Sequence, residues 1–203
     1  MARQRKVTER CPTCAASRAL CLCDEAPAIV LKTKIALIIH HRELSRNSNT
    51  GLLALKALVN GTVRIRGEDR AALDLQDLLS PEYRSFLFFP CADAVELDDA
   101  LVGREDKPIQ LIVPDGTWRQ AKKILSRHPE LKELPRVKIS KPQNSIFGLR
   151  AQSRPERMAT LPAIAHALGV IEGGPVQAQL MKLYNAKIER ALAGRGIVRP
   201  NRF

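Results

Sequence analysis

Aromatic residues make up only 4% of this 203-residue chain, and no apolar run approaches the length of a membrane span. A bilayer-crossing helix needs roughly 20 consecutive apolar residues, so no membrane insertion is expected. So few aromatic rings argue against a platform on which single-stranded bases stack. The start, Met1-Ala2-Arg3-Gln4-Arg5-Lys6, lacks the apolar segment of a secretory signal. A cytoplasmic location is therefore expected. Internal repeats and low-complexity tracts are missing too. Acidic residues are in deficit, 21 against 33 Lys and Arg, for a net charge of +12. A charge this far from zero favours a polyanionic partner. Surface solubility alone is the plainer explanation. Nucleic acid is the sharper one, because lysines and arginines that neutralise phosphates release counterions. Basic residues recur at Arg3, Arg5, Lys6, Arg10, Arg18, Arg119, Lys122, Lys123, Arg127, Lys138, Lys141, Arg195, Arg199 and Arg202.

At this length the chain suits one domain with one sizeable core and a small appendage. Residues 1–28 read as that appendage. They hold a basic start, four cysteines within thirteen residues, then Asp24-Glu25 and Pro27. So short a segment builds no core and needs a metal or disulfides to hold a shape. The spacing is Cys11-x2-Cys14, six residues, then Cys21-x-Cys23. Four thiolates suit tetrahedral zinc, and four cysteines also suit an iron–sulfur cluster. Disulfides are disfavoured in a reducing compartment. Structural zinc ranks first, and a site filled by four protein ligands is closed to catalysis. Cys91, alone after Pro90, reads as a small core or loop residue.

From residue 29 onward, apolar runs alternate with helical patterns. Residues 35–39, 86–89 and 109–113 read as buried strands, with short β-branched runs at 62–66 and 137–139. Helices are expected at 49–59, from Thr117 to just before Pro129, at 155–168 with Gly169 ending it, and at 175–193, with a short one at 69–79. The alternation predicts an α/β fold with a mostly parallel sheet covered on both faces.

Asp115-Gly116-Thr117-Trp118 sits where the strand 109–113 gives way to a basic amphipathic helix. A carboxylate, a glycine and the single tryptophan thus fall at the carboxyl end of a strand. Open α/β sheets bind ligands in that crevice. Glycine permits close backbone approach, and a helix start offers unpaired N–H groups. The plain alternative is that Asp115 or Thr117 caps the helix while Trp118 packs in the core.

The stretch from Asp115 to Ala121 resembles the signature of the DTW-domain family, the tRNA-uridine aminocarboxypropyltransferases. The similarity extends to Cys11, Cys14, Cys21 and Cys23, to the run from His40 to Gly51, to Phe89-Pro90, to Leu149-Arg150 and to the run from Glu156 to Thr160. Two departures stand out. Ala159-Thr160 replaces a frequent Ser-Thr, and residues 67–79 match no motif. The resemblance implies a SPOUT-like catalytic domain over residues 29–203, with a C-terminal trefoil knot. It implies transfer of the 3-amino-3-carboxypropyl group of S-adenosylmethionine to N3 of a tRNA uridine, releasing methylthioadenosine. No obligatory protein partner is implied.

That chemistry assigns roles. Uridine N3 is a poor nucleophile while protonated, so a nearby base helps. Asp115 is the candidate base, or else it holds the cofactor's ammonium. Trp118 stacks on a base or walls the pocket. Gly116, Thr117, Thr160 and the Phe89-Pro90 loop are expected at the cofactor. Arg150 and Arg157 are candidates for its carboxylate, which a guanidinium clamps bidentately. His40, Glu43, Arg46, Asn49 and Thr50, with Arg119, Lys122 and Lys123, are assigned to tRNA handling, the loop from His40 to Thr50 alternatively to the pocket wall. The His40-His41 pair has no spaced third ligand and is not read as a metal site. An RNA methyltransferase and a non-catalytic, zinc-stabilised RNA-binding protein are the competing functions.

Overall fold

Six strands build one sheet: β1 (Lys34–His40), β2 (Thr62–Arg66), β3 (Arg84–Phe88), β4 (Val95–Glu96), β5 (Ile109–Asp115) and β6 (Arg136–Lys138). The computed structural model describes residues 9–14, 16–67, 73–140 and 158–194. Among them every strand pairing is parallel, in the order β2-β1-β5-β3-β6-β4. β1 and β5 are apolar almost throughout because helices cover both of their faces.

Side-chain alternation along each strand sorts the core into two layers. Ile35, Leu37, Ile39, Leu111 and Val113 face a layer shared with three helices, α2 (Gly51–Ala57), α5 (Thr160–Glu172) and α6 (Gly174–Ala193). Ala36, Ile38 and Ile112 face the other layer, closed by α4 (Trp118–Arg127) and the single turns at Gln76–Leu79 and Pro129–Leu131. Helix α4 turns Ala121 and Ile124 inward and leaves its lysines and arginines outside. The short helices α1 (His41–Leu44) and α3 (Asp99–Val102) follow β1 and β4 directly.

Several expected boundaries move. The helix expected at 49–59 is α2, beginning at Gly51. Of the expected helix 69–79, the described part is one 3-10 turn at Gln76–Leu79. The helix expected at 155–168 begins at Thr160 and runs on through Gly169 to Glu172. Gly169 sits inside the helix, and a Cβ there would lie 2.1 Å from Oε1 of Gln177. The glycine is where α5 and α6 touch. Gly173, at φ +102°, makes the turn between them. Pro155 lies outside the described residues. So do residues 141–157.

Residues 9–28 pack against α6. The Arg190 guanidinium donates to the Cys21 carbonyl and pairs with Glu25. Leu22 and Ile29 enter the main core. No helix among the described residues is long and apolar enough to cross a membrane.

Candidate active site at the carboxyl edge of the sheet

Asp115 ends the central strand β5 and is 6% exposed. Its side chain turns to the α5 layer, where two donors meet it. Asn49 Nδ2 donates to Oδ2 at 2.9 Å, and the Thr160 hydroxyl donates to Oδ1 at 2.5 Å. Gly51 makes room for the carboxylate, since a Cβ there would lie 2.8 Å from Oδ2. The same loop is fastened twice more. Asn49 Oδ1 accepts from the Leu52 N–H at 3.2 Å, and the Thr50 hydroxyl accepts from the Leu161 N–H at 3.1 Å. The starts of α2 and α5 are thereby held together around one carboxylate.

Burial drives the Asp115 pKa upward, and the nearby charge of Glu43 adds to the rise. The bonds from Thr160 and Asn49 pull in the other direction without cancelling it. A carboxylate raised in this way is a stronger proton acceptor than an exposed one. Glu43 is itself buried, 2% exposed, and its carboxylate meets Arg46 at 3.1 Å.

Asp115 borders a cavity of about 150 Å³. Phe88, Phe89 and Pro90, at the end of β3, form one wall. Gly116, Trp118 and Ala121 form another, and Met158, Thr160 and Ala163 close the α5 side. The Trp118 and Phe89 rings lie 5.1 Å apart and tilted. Lys138 and Ile139, at the end of β6, complete the lining, so the cavity is mostly apolar with one carboxylate, one hydroxyl and one lysine, the usual make-up of a small-molecule site.

Thr117 serves its own helix. Its hydroxyl accepts from the Gln120 N–H at 3.3 Å, and Gln120 Oε1 accepts from the Thr117 N–H at 2.6 Å. This reciprocal capping box occupies two of the N–H groups that the sequence reading offered to a ligand. Gly116 has φ +139°, and a Cβ there would meet Gln120 Oε1 at 2.9 Å. Gly116 is required by the turn as well as by the cavity.

The candidates sort by place. Asp115, Gly116, Trp118, Phe89, Pro90 and Thr160 all line the one cavity. Asn49 and Thr50 are buried and fasten the loops, and Glu43 is held by Arg46. Arg119, Lys122 and Lys123 lie on the outer side of α4, away from the cavity. Arg150 and Arg157 lie outside the described residues. Sequence reasoning missed Gly51 as a site residue. Its signal is a glycine at the start of a helix, where conformation alone does not call for one.

The four cysteines form a second centre. Their Sγ atoms all lie within 4.8 Å of one another. Cys11 and Cys23 approach to 3.7 Å, Cys14 and Cys21 to 3.8 Å. These gaps are far longer than the about 2.05 Å of a disulfide. Backbone N–H groups, that of Cys14 foremost, lower the Cys11 thiol to about 6, whereas burial raises Cys14 and Cys23. Lys187 of α6 is buried beside the cluster, and burial lowers its pKa while the thiols work against that.

The DTW domain family matches residues 8–192. The chain belongs to the DTW-domain family. Within 174 aligned residues it is 30% identical to a Drosophila melanogaster protein named tRNA-uridine aminocarboxypropyltransferase 2, across 82% of this chain and 68% of that one. An Arabidopsis thaliana protein named tRNA-uridine aminocarboxypropyltransferase A is 29% identical over 190 residues, across 80% of this chain and 72% of that one. A mouse protein of the first name is 25% identical across 80% of this chain and 56% of that one. The DTW chain here thus spans little more than half of its longer relatives. No solved structure matches it. The DTW motif is the stretch that ends β5, caps α4 and carries Asp115.

Proposed function

We propose that this DTW protein transfers the 3-amino-3-carboxypropyl group of S-adenosylmethionine to N3 of a uridine in tRNA. The observation that carries the reading is Asp115, a buried carboxylate with a raised pKa on the wall of an apolar cavity. The names of the relatives supply the reaction class. The cofactor's sulfonium supplies the activated carbon. The chain's residues do the rest. Uridine N3 gives its proton to Asp115 and its electron pair to a new C–N bond, and the broken C–S pair leaves with methylthioadenosine. Asn49 and Thr160 keep the carboxylate aimed, which is worth most when nothing needs to reorganise during reaction. Phe89, Pro90 and Trp118 offer an apolar seat for adenine or uracil. Arg150 and Arg157 would receive the cofactor's carboxylate.

We assign the cysteine centre to zinc. Bonds of about 2.3 Å in a tetrahedron put neighbouring sulfurs about 3.8 Å apart, which the gaps of 3.7 and 3.8 Å match. An iron–sulfur cluster would spread the thiolates over more than one metal. With four thiolates the ion has no open position, so Cys11, Cys14, Cys21 and Cys23 would serve structure. Residues 1–28 form the zinc unit and 29–203 the catalytic domain in this reading. The all-parallel sheet suits a SPOUT-like domain, and a thiolate site suits the reducing cytoplasm. His40, Arg46, Arg119, Lys122 and Lys123 would meet the tRNA. The uridine must leave its stack to reach the cavity.

The test supplies unmodified tRNA and S-adenosylmethionine labelled in either its methyl or its carboxyl carbon. Carboxyl label on the RNA, lost in Asp115→Ala, is expected. Methyl label on the RNA would make the chain a methyltransferase. Label from neither donor would leave an RNA-binding protein without catalysis.

A further inference from the structure

The carboxyl ends of β1 and β2 hold a second polar cluster that the cavity does not use. Arg66 ends β2 in register with His40, which ends β1. Ala36 and Ile38 point to the α4 layer, so alternation turns His40 the same way, and Arg64 and Arg66 follow on β2. Arg64 pairs with Asp77. Arg66 is only 8% exposed, yet among the described residues no hydrogen bond or ion pair reaches its guanidinium.

Its surroundings are positive. The charge of Arg127 on α4 adds to burial in pushing the Arg66 pKa down. Arg66, Arg42 and His41 add to burial in pushing His40 down as well, with Glu43 opposing them. The His40 and His41 rings lie 4.7 Å apart. His40 Nδ1 accepts the Arg42 N–H at 3.2 Å, which leaves the proton of the neutral ring on Nε2. Gly67, at φ +79°, leaves space there: a Cβ would lie 3.3 Å from His41 Cδ2 and 3.6 Å from His40 Nε2. A cation held largely out of water among like charges is costly unless an opposite charge meets it. An anion held by that guanidinium and by the imidazole N–H offsets the cost.

We propose that Arg66, His40 and Arg127 form a phosphate site that grips the tRNA backbone on the flank of Asp115 opposite the cavity. The inference rests on the reading of the chain as a tRNA-modifying enzyme. Three features favour a phosphodiester chain over a small free anion. Arg119, Lys123 and Arg127 recur every four residues along α4, and the charge of Arg127 reaches Arg66. The sheet order puts β1 and β2 on one side of β5, and the cavity-lining β3 and β6 on the other. Ile39, the neighbour of His40, pairs in register with Asp115. Two strand spacings, about 10 Å, therefore separate the strand of Arg66 from that of Asp115.

The experiment measures tRNA affinity against salt for the wild-type chain, Arg66→Gln and Arg66→Lys, alongside S-adenosylmethionine affinity and thermal midpoint. Arg66→Gln is expected to weaken tRNA binding about tenfold, and to reduce the salt slope by about one. The lysine variant keeps the slope, because it keeps the charge. Cofactor affinity stays unchanged, and the midpoint holds or rises because a charge held among like charges is gone. Unchanged tRNA affinity and slope in Arg66→Gln would overturn the site, even while the wild type still transfers the label. A loss of cofactor binding instead would assign the guanidinium to the cofactor's carboxylate and overturn it too. Stabilisation by millimolar inorganic phosphate that needs Arg66, with tRNA affinity unaffected, would make it a free-phosphate site. An Arg66-dependent salt slope in a chain that transfers no label would keep the phosphate site and refute the proposed reaction.

Discussion

Asn49 Nδ2 donates to Asp115 Oδ2 at 2.9 Å, joining the loop before α2 to the end of β5 across 66 positions of sequence. The bond lowers the Asp115 pKa against the upward push of burial. Asn49→Ala should therefore raise it further. The acid limb of the transfer rate should move to higher pH. Rate profiles of the two chains measure this. An unmoved limb would mean that Asp115 holds the cofactor without taking a proton.

Asp115→Asn should abolish transfer, by roughly 10²- to 10⁴-fold, and should stabilise the fold. The sign follows from the raised pKa. Between the ordinary carboxylate range and that raised value, the folded state binds more protons than the unfolded state. Stability of the wild type then falls as pH rises through this window, and above it the penalty is complete. Asparagine carries no such penalty. Melting curves across pH should show the variant gaining on the wild type as pH rises, and a constant gap would refute the argument.

Gly51→Ala tests packing alone. The new methyl would lie 2.8 Å from Asp115 Oδ2 and 3.0 Å from Leu37 Cδ2. Leu37 is fully buried, so the carboxylate is the group that moves. Overpacking of this kind costs about 1–3 kcal/mol. A shift of about 1 Å in the base can lower the rate about 100-fold. Single-turnover rates with saturating tRNA read the effect. A full rate would show that the position of Asp115 is not critical.

Removing the metal should free residues 9–28 from α6. Elemental analysis should find one zinc per chain, absent in Cys14→Ser. Chelation should lower the thermal midpoint by roughly 5 °C or more, since each kcal/mol is worth about 2–4 °C at this size. Proteolysis between Cys11 and Glu25 should quicken, because the contacts of Arg190 with Cys21 and Glu25 are lost. Metal-free protein with an unchanged midpoint would remove zinc from the account of stability.

The long apolar strands β1, β3 and β5 and the helix α6 were legible because burial on both faces and a sustained helical period leave strong patterns. β4 and α3 were not. The first is two residues long and the second four, too short for any period. The one local sign of α3 is Asp98, whose side chain accepts from the Leu101 N–H. Gly169 misled because glycine marks both helix ends and close helix contacts, and only the approach of Gln177 separates the two. At the site, Asp115 was legible from its place at a strand end. Its donors Asn49 and Thr160 were named, but their convergence on one carboxylate was not visible. That convergence depends on strand order, which no local pattern encodes.

The strand order also dictates when the protein can assemble. β5 lies between β1 and β3 but follows both in the chain. While residues up to 108 emerge during synthesis, the β1–β2 pair and β3 have no common partner, and each shows an open edge of the kind that invites misassociation. Contacts between distant segments form slowly. Insertion of β5 closes both edges at once and brings Asp115 to its place. Until β5 inserts, the chain therefore has no base in place, and the step that positions Asp115 also covers the facing edges of β1 and β3.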